Sequence, residues 1–312
     1  MITNDCSALA ENASRVVVGK EHVLELMTVA LLAEGHVLLE DVPGLGKTLM
    51  AKALAKSMGG IFRRIQFTPD LLPTDVTGFS VYDQKKCEFV FHPGPVYCNV
   101  LLADEINRTI PRTQASLLES MGEFQVTVDG KTDALKKPFF VIATQNPIEM
   151  DGTFPLPEAQ LDRFLMRIEL GYPSREEEIT ILERFQEEDP LDDLAPVLTP
   201  ERVCELQKKR ASIVISSAVR SYIADIAAAT RSHAKVHYGV SPRGTLGMMR
   251  AGQGLALYQG RDYVTPDDIK ALARPVLLHR LILKNEERTR GVTAADVLAE
   301  IIGKVPVPVS AA

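Results

Sequence analysis

Up to about residue 172, short apolar runs alternate with stretches in which apolar residues have helical spacing. Five of these runs are predicted strands, at 36–39 (HVLL), 62–67 (FRRIQF), 99–104 (NVLLAD), 139–144 (FFVIAT) and 164–170 (FLMRIEL). The third and fourth are almost continuously apolar, which is typical of parallel strands covered on both faces. With helices as the crossovers, the pattern predicts an α/β fold, an αβα sandwich around a parallel five-stranded sheet.

Two further segments have the pattern of β-hairpins inserted into this simpler scheme. Residues 79–91 place two aromatic-rich arms around a polar tip. Residues 124–132 alternate apolar and polar side chains and then reach Asp129-Gly130, a favoured two-residue turn. We therefore predict two hairpin insertions in the α/β part of the chain.

The pattern changes after the GYPS segment at 171–174. Residues that typically open a helix occur three times beyond it: Ser174 with Glu177, Thr199 with Pro200, and Thr265 with Pro266. No strand is predicted in this half. We therefore predict an α/β core at 1–172 and an all-α second domain at 173–312.

Composition and charge narrow the class of protein. The chain has 312 residues, 46% of them hydrophobic, and a formal net charge of −6, which argues against a nucleic-acid partner unless a local basic groove exists. Its four cysteines are scattered without a metal-binding spacing. With no signal-peptide pattern and no apolar run approaching about 18 residues, we expect a cytoplasmic protein without membrane insertion.

A turn with two glycines and a lysine follows the first predicted strand. The phosphate-loop pattern G-x-x-x-x-G-K-[ST], between a strand and a helix, is met by Gly46, Lys47 and Thr48, with Asp41 in place of its first glycine. Backbone N–H groups would hold phosphates, Lys47 would reach the β and γ oxygens, and Thr48 would bind magnesium. The alternative is an ordinary β-α turn. The predicted cradle comprises Pro43, Gly44, Leu45, Gly46, Lys47, Thr48 and Leu49.

Two adjacent acidic residues end the third predicted strand. In NVLLADEINR, an apolar strand delivers Asp104 and Glu105 to its carboxyl end, where ligands bind in open α/β sheets. Asp104 would hold magnesium through water, and Glu105 could orient and deprotonate an attacking water. A solvated strand end is the alternative for such a pair.

Three further residues complete the candidate site. Asn146 follows the fourth strand, and its amide could position the water beside the γ-phosphate, although Asn-Pro is also a common turn. Arg163, in LPEAQLDRF, and Arg243, in SPRGTL, could stabilise the charge that develops in phosphoryl transfer. Either arginine could equally be a surface ion-pair partner.

Five segments, in this order, resemble the MoxR family of AAA+ ATPases: LLEDVPGLGKT, RIQFTPDLLPTDVTG, PGPVYCNVLLADEINR, ATQNPIEMDGTFPLPEAQLDRF and VSPRGTLGMMRA. The similarity extends from about Val16 to Gly303, and the TPDLLPTDVTG and GTFPLPEAQLDRF segments are the most specific to the family. Asp41 in place of glycine is normal for it. The resemblance implies a P-loop NTPase core with a helical lid, and ring-shaped homo-oligomers, commonly hexamers, with nucleotide between neighbours.

The resemblance also implies roles for single residues. Asn146 is the first sensor, Arg243 is the second sensor from the lid, and Arg163 is the arginine finger acting on the next subunit. Should Arg163 not be the finger, Arg108 and Arg112 are the next candidates. The two hairpins face the central pore in related rings.

A further segment, RVVVGKEH at 15–22, resembles the strip that contacts adenine, with Gly19 allowing close approach. Because no guanine-specific Asn-Lys-x-Asp motif occurs, ATP with Mg²⁺ is expected rather than GTP.

The family resemblance favours a chaperone-like ATPase that remodels or matures protein clients. Family members often work with proteins that carry von Willebrand factor A domains. A nucleic-acid motor of the AAA+ class is one alternative, which the net acidity disfavours. A slow, nucleotide-switched scaffold is another, which the presence of Glu105 disfavours.

Overall fold

The computed structural model of the chain describes residues 2–42, 44–146, 153–186 and 189–308. The strands are β1 Val37–Glu40, β2 Phe62–Gln66, β3 Gly78–Asp83, β4 Glu88–Pro93, β5 Val100–Asp104, β6 Gln125–Val128, β7 Lys131–Ala134, β8 Phe140–Gln145, β9 Met166–Ile168, β10 Val236–Tyr238 and β11 Ile282–Leu283. The helices are α1 Ile2–Ser14, α2 Glu21–Leu32, α3 Lys47–Ser57, α4 Pro73–Thr77, α5 Pro111–Glu123, α6 Glu158–Leu161, α7 Arg175–Arg184, α8 Pro200–Arg210, α9 Ser217–Ser232, α10 Pro242–Tyr258, α11 Pro266–Leu277, α12 Asn285–Thr289 and α13 Ala294–Lys304. Short 3₁₀ turns occupy 106–108 and 278–280.

The central sheet confirms the predicted fold class. Five strands lie in the order β2-β5-β8-β1-β9, and every neighbouring pair is parallel. The last strand is shorter than the predicted 164–170 segment. It ends early because the amides of Leu170 and Gly171 donate to the side chain of Asp41 instead of extending the ladder.

Both faces of the sheet are covered by apolar layers, as the continuous apolar runs predicted. In β5, Val100 and Leu102 belong to a core that includes residues of α1–α3 and the lid helices. Leu101 and Ala103 belong to a second core on the opposite face, with Leu117 of α5. Alternate residues therefore face opposite layers, as the twofold period of a strand requires.

The two predicted hairpins are present. β3 pairs antiparallel with β4, and β6 with β7. The second turns at Asp129 and Gly130, which both have positive φ, 52° and 76°, as a two-residue type I′ turn demands. On the first hairpin, Phe89 is 73% exposed and Tyr82 is 49% exposed.

The second half of the chain is helical, and all three predicted helix starts are confirmed as side-chain caps at Ser174, Thr199 and Thr265. The absence of strands there was predicted wrongly, since β10 and β11 form a small antiparallel pair. Strands of three and two residues are too short to show an alternating pattern in sequence. Among the described residues, no helix is long and apolar enough to cross a membrane.

Candidate functional site

The phosphate-loop candidate joins β1 to α3 at the carboxyl edge of the sheet. Gly44 and Gly46 have φ values of 88° and 78°, a region that side-chain-bearing residues rarely adopt. Beyond each glycine and its neighbours along the chain, no described atom lies within 4 Å of the position where either would carry a Cβ. Gly46 is also the N-cap of α3, so the first backbone N–H groups of that helix, which have no partner within the helix, lie next to the loop. Pro43 lies outside the described residues.

Asp41, which replaces the usual first glycine, ties this loop to the chain beyond β9. Its Oδ2 accepts hydrogen bonds from the amides of Leu170, at 2.9 Å, and Gly171, at 2.7 Å. Its Oδ1 accepts from the amide of Val42 at 2.8 Å. The carbonyl of Gly171 in turn accepts from Lys20 Nζ at 3.1 Å. The aspartate therefore fixes the start of the phosphate loop against the segment that leads into the helical half.

Lys47, the first residue of α3, points back along the loop. Its Nζ donates to the backbone carbonyl of Asp41 at 2.5 Å. Desolvation lowers the pKa of Lys47 below its usual value, although the charges of Asp41, Asp104 and Glu105 oppose that shift. The ammonium is therefore partly desolvated and faces three carboxylates. This setting suits a group that binds phosphate oxygens.

Asp104 ends β5 and is held on both carboxylate oxygens. Thr144 Oγ1, from neighbouring β8, donates to Oδ1 at 2.6 Å, and Arg64 Nη2, from β2, donates to Oδ2 at 2.7 Å. The same Thr144 hydroxyl accepts from the amide of Glu105 at 2.8 Å. One buried hydroxyl thus orients both predicted acidic residues.

Glu105 itself has an uncommon backbone conformation. Its φ is 56°, in the left-handed region that non-glycine residues enter rarely and often at functional sites. Its Oε2 accepts from Gln66 Nε2 at 3.0 Å and lies 3.2 Å from Arg108 Nη1. The strand end therefore turns Glu105 toward the phosphate loop instead of leaving it in plain solvent.

Arg64 and Gln66 are site residues that the sequence analysis did not identify. Both lie at the carboxyl end of β2 and, being two residues apart, share one face of that strand. β2 pairs with β5 in register Gln66 to Asp104. Two polar side chains at the end of a predicted strand were the available signal, but the adjacency of that strand to β5 was not evident from sequence.

These groups line a polar compartment of about 430 Å³. It is formed by Gly44, Gly46, Lys47, Thr48, Leu49, Arg64, Gln66, Asp104, Glu105, Thr144 and Asn146. The structure thus brings the predicted phosphate-loop, acidic and first-sensor residues together in one cavity.

A second, apolar compartment of about 310 Å³ adjoins the first and shares Gly44, Gly46 and Leu49 with it. It is lined by Val16, Val17, Val18, Lys20, Gly44, Leu45, Gly46, Leu49, Pro173, Ile181 and Phe185. The strip at 15–22 therefore contributes to a cavity suited to a flat, apolar base. Gly19 has a φ of 68°, and a Cβ there would lie 2.2 Å from the Glu177 carboxylate, so its close neighbour within the chain is the start of α7.

Arg163 is placed away from its own polar compartment. Its half-buried guanidinium donates from Nη1 to the carbonyl of Leu118 at 2.6 Å, beside Gly122 of α5. Among the described residues that line the compartment, Arg163 does not occur.

Arg243 is also placed away from the phosphate loop. It is exposed at the start of α10, and within the described part of the chain it is no lining residue of the polar compartment. Burial lowers the pKa of His36 to about 4, and the Arg243 charge contributes in the same direction. His36 precedes β1, whereas the phosphate loop follows the other end of that strand. As far as the chain is described, neither predicted arginine lines the polar compartment that holds the other site residues.

The residues present fit a magnesium-bound nucleoside triphosphate. Within the described residues no group of three or more His, Cys, Asp or Glu side chains could hold a metal alone. Thr48 and Asp104 supply the hard oxygen ligands that Mg²⁺ prefers, and the ion usually takes its other ligands from water and phosphate. The open cradle around Gly44 and Gly46 has room for those phosphates.

The comparisons with known proteins agree with this geometry. A family model described as "ATPase family associated with various cellular activities (AAA)" matches residues 36–166, and an AAA lid domain model matches 228–301. The fold and the site thus define an AAA-type ATPase. The boundary predicted at residue 172 lies between the two matched segments and stays a prediction.

Relatives over the full chain identify the family. The chain is 43% identical to Chaperone MoxR1 of Mycobacterium tuberculosis, over 94% of this chain and 80% of that protein. The chain belongs to the MoxR family of AAA+ ATPases. It is also 52% identical to the uncharacterized protein YeaC of Bacillus subtilis, over 96% and 93% of the two chains. A crystal structure of a candidate ATPase from Cytophaga hutchinsonii matches with a TM-score of 0.93 and 38% identity, covering 99% of this chain and 96% of that one.

Proposed function

We propose that this protein hydrolyses ATP at the joined compartments and uses the energy to remodel protein clients. One observation carries the proposal: Lys47 of a phosphate loop and the Asp104-Glu105 pair line the same cavity, next to an apolar cavity of about 310 Å³ that has room for a base. A plain β-α turn and a solvated strand end would not require that convergence.

Each residue then has a chemical task. The loop amides and Lys47 hold the phosphates, and Thr48 and Asp104 hold Mg²⁺, which would neutralise phosphate charge when bound. Glu105 orients the attacking water and accepts its proton. Asn146, buried at the edge of the same cavity, positions that water beside the terminal phosphate.

We further propose that Arg163 and Arg243 act on ATP held by a neighbouring subunit of a homo-oligomeric ring, which we expect to be a hexamer. Both arginines lie outside the lining of their own polar compartment, as far as the chain is described. Arg64, which lines this compartment, already donates to Asp104, and an arginine supplied in trans can contribute about a thousandfold or more to hydrolysis. Assembly then controls turnover.

Protein clients are the proposed substrates of the mechanical step. The name Chaperone MoxR1, carried by a relative with 43% identity, favours this class. The exposed aromatic residues of the first hairpin, among them Phe89 and Tyr82, are suited to contact an unfolded segment. We propose action in the cytoplasm and a partner with a von Willebrand factor A domain. The net charge of −6 disfavours the alternative of a nucleic-acid motor.

A hydrolysis-blocked variant tests the client proposal. Glu105→Gln, loaded with ATP and mixed with cell extract, should retain specific proteins and release them when ADP replaces ATP. Lys47→Ala, which we expect not to bind nucleotide, is the matched control and should retain none of them. If DNA stimulates turnover and no protein is retained in an ATP-dependent way, the nucleic-acid motor replaces this proposal.

A further inference from the structure

A buried arginine joins the helical half of the chain to the segment that carries Arg163. Arg280 is 8% exposed, and its Nε donates to Asp162 Oδ1 at 2.6 Å. Its other nitrogens donate to backbone carbonyls of the same segment, Phe164 at 2.6 Å and Leu165 at 3.2 Å. A buried guanidinium with so many acceptors has little freedom to move.

The second carboxylate oxygen of Asp162 reaches the lid helix that carries Arg243. Ser241 Oγ donates to Asp162 Oδ2 at 2.9 Å. Ser241 is the N-cap of α10, since its Oγ also accepts from the amide of Gly244 at 3.2 Å. Asp162 directly precedes Arg163, and Ser241 lies two positions before Arg243. The Asp162 carboxylate therefore links the segments that carry the two arginines.

Glycines allow this close arrangement on both sides. A Cβ on Gly244 would lie 2.7 Å from Arg280 Cδ, so α10 could not approach Arg280 with a larger residue there. A Cβ on Gly122 would lie 2.8 Å from Arg163 Nη1. Arg280 thus packs directly on α10, and the end of the Arg163 side chain packs directly on α5.

We propose that Asp162, clamped by Arg280, is a positioning residue that sets Arg163 and Arg243 at a fixed spacing and so presents both to the same neighbouring site. The inference rests on the proposed function, because it assumes that the arginines act in trans. Since the clamp joins core to lid, any movement of the lid in one subunit shifts both arginines at the next site.

Mixed rings provide the test. A donor subunit carries Glu105→Gln, which silences its own site and leaves its arginines intact; a recipient carries Arg163→Ala. In the parent mixture, hydrolysis at recipient sites depends on donor arginines. Asp162→Asn in the donor should lower the rate by about tenfold or more, because small misplacements are costly in catalysis. Asp162→Asn in the recipient should leave the rate within about twofold, since the recipient already lacks Arg163 and so contributes little at the next site.

Matched variants separate positioning from stability. Asp268 pairs with Arg261 at 2.6 Å inside the lid, so Asp268→Asn in the donor removes a comparable ion pair but should preserve the rate. Ser241→Thr keeps both the cap and the donated hydrogen bond and should preserve it as well. Ser241→Asp can cap α10 but cannot donate to Asp162, and should reproduce the loss.

Native mass spectrometry confirms that mixed rings have formed, and the results that would contradict the proposal can then be told apart. Equal loss with Asp162→Asn in donor and recipient, or no loss in the donor, overturns the positioning role. If wild-type protein hydrolyses ATP but the parent mixture does not, the positioning role falls while ATP hydrolysis stands. If the wild type itself does not hydrolyse ATP, the proposed function falls.

Discussion

Gln66 holds the carboxylate of Glu105: its Nε2 donates to Glu105 Oε2 over 3.0 Å, from the strand next to the one that Glu105 follows. Arg108 Nη1 lies 3.2 Å from the same oxygen. These two contacts fix the direction in which the carboxylate points. Glu105 is therefore restrained by Gln66 and Arg108, and we expect its release from Gln66 to change the rate of hydrolysis.

Replacing Gln66 with the similarly sized leucine should free Glu105. We expect kcat for ATP hydrolysis to rise by about threefold, with the KM for ATP unchanged, because a carboxylate released from Gln66 is free to turn toward the attacking water. Steady-state phosphate release at saturating ATP measures the effect. A fall in kcat would instead mean that Gln66 holds Glu105 in its productive orientation.

Asp41→Gly restores the glycine of the general phosphate-loop pattern, yet it should destabilise the protein. It removes the carboxylate that accepts from the amides of Leu170 and Gly171, at a cost of about 2 kcal/mol in the free energy of unfolding. Urea unfolding measures this loss. Asp41→Asn, which keeps one acceptor oxygen, should lose less unfolding free energy. Equal stability of the glycine variant and the wild type would show that the hydrogen bonds from Leu170 and Gly171 to Asp41 do not stabilise the fold.

Stability should fall in mild acid because of His36. Its Nδ1 accepts from the amide of Val141, and its Nε2 lies 3.1 Å from the carbonyl of Met121, an arrangement that needs the neutral ring. Burial lowers its pKa from 6.5 to about 4. Above pH 6.5 the ring is neutral in both states; below it the unfolded chain binds the proton first, so the unfolding free energy falls with pH. The stability that the neutral His36 ring contributes is fully lost below pH 4.

From pH 7.5 to pH 5, this histidine should remove about 2 kcal/mol of stability. His279, whose pKa burial lowers in the same direction, adds to the slope. Urea unfolding at both pH values should show a smaller difference for His36→Gln than for the wild type. An unchanged slope for His36→Gln would contradict the assignment.

Lys47→Ala should abolish ATP binding while the fold persists. The side chain contributes its ammonium to the polar compartment, and α3 keeps its backbone cap at Gly46. Calorimetric titration with ATP measures affinity, and circular dichroism reports the fold. Lys52, exposed on the same helix, gives the control Lys52→Ala, which should bind normally; normal binding by Lys47→Ala would remove the phosphate-loop assignment.

Much of the sheet and the centre of the site were predictable from sequence. Lys47, Asp104, Glu105 and Asn146 follow the ends of predicted parallel strands, and such ends meet at one edge of a sheet. Local sequence patterns were therefore sufficient to predict that these four residues lie in one site.

Other parts of the site depend on tertiary relationships that no local pattern encodes. The roles of Arg64 and Gln66 depend on which strand lies beside β5. The tether from Asp41 spans 129 positions to Leu170. The contact between Asp162 and Arg280 joins residues that are 118 positions apart.

Phosphate release by Glu105→Gln tests the central claim most directly, namely that this chain hydrolyses ATP with Glu105 as the base. The variant keeps Asp104 and the phosphate loop, so ATP affinity by calorimetry should stay within a few-fold of the wild type, whereas kcat should fall by about 100-fold or more. Glu119→Gln, on the exposed side of α5, should keep the wild-type rate. A Glu105→Gln rate within a few-fold of the wild type would contradict the account.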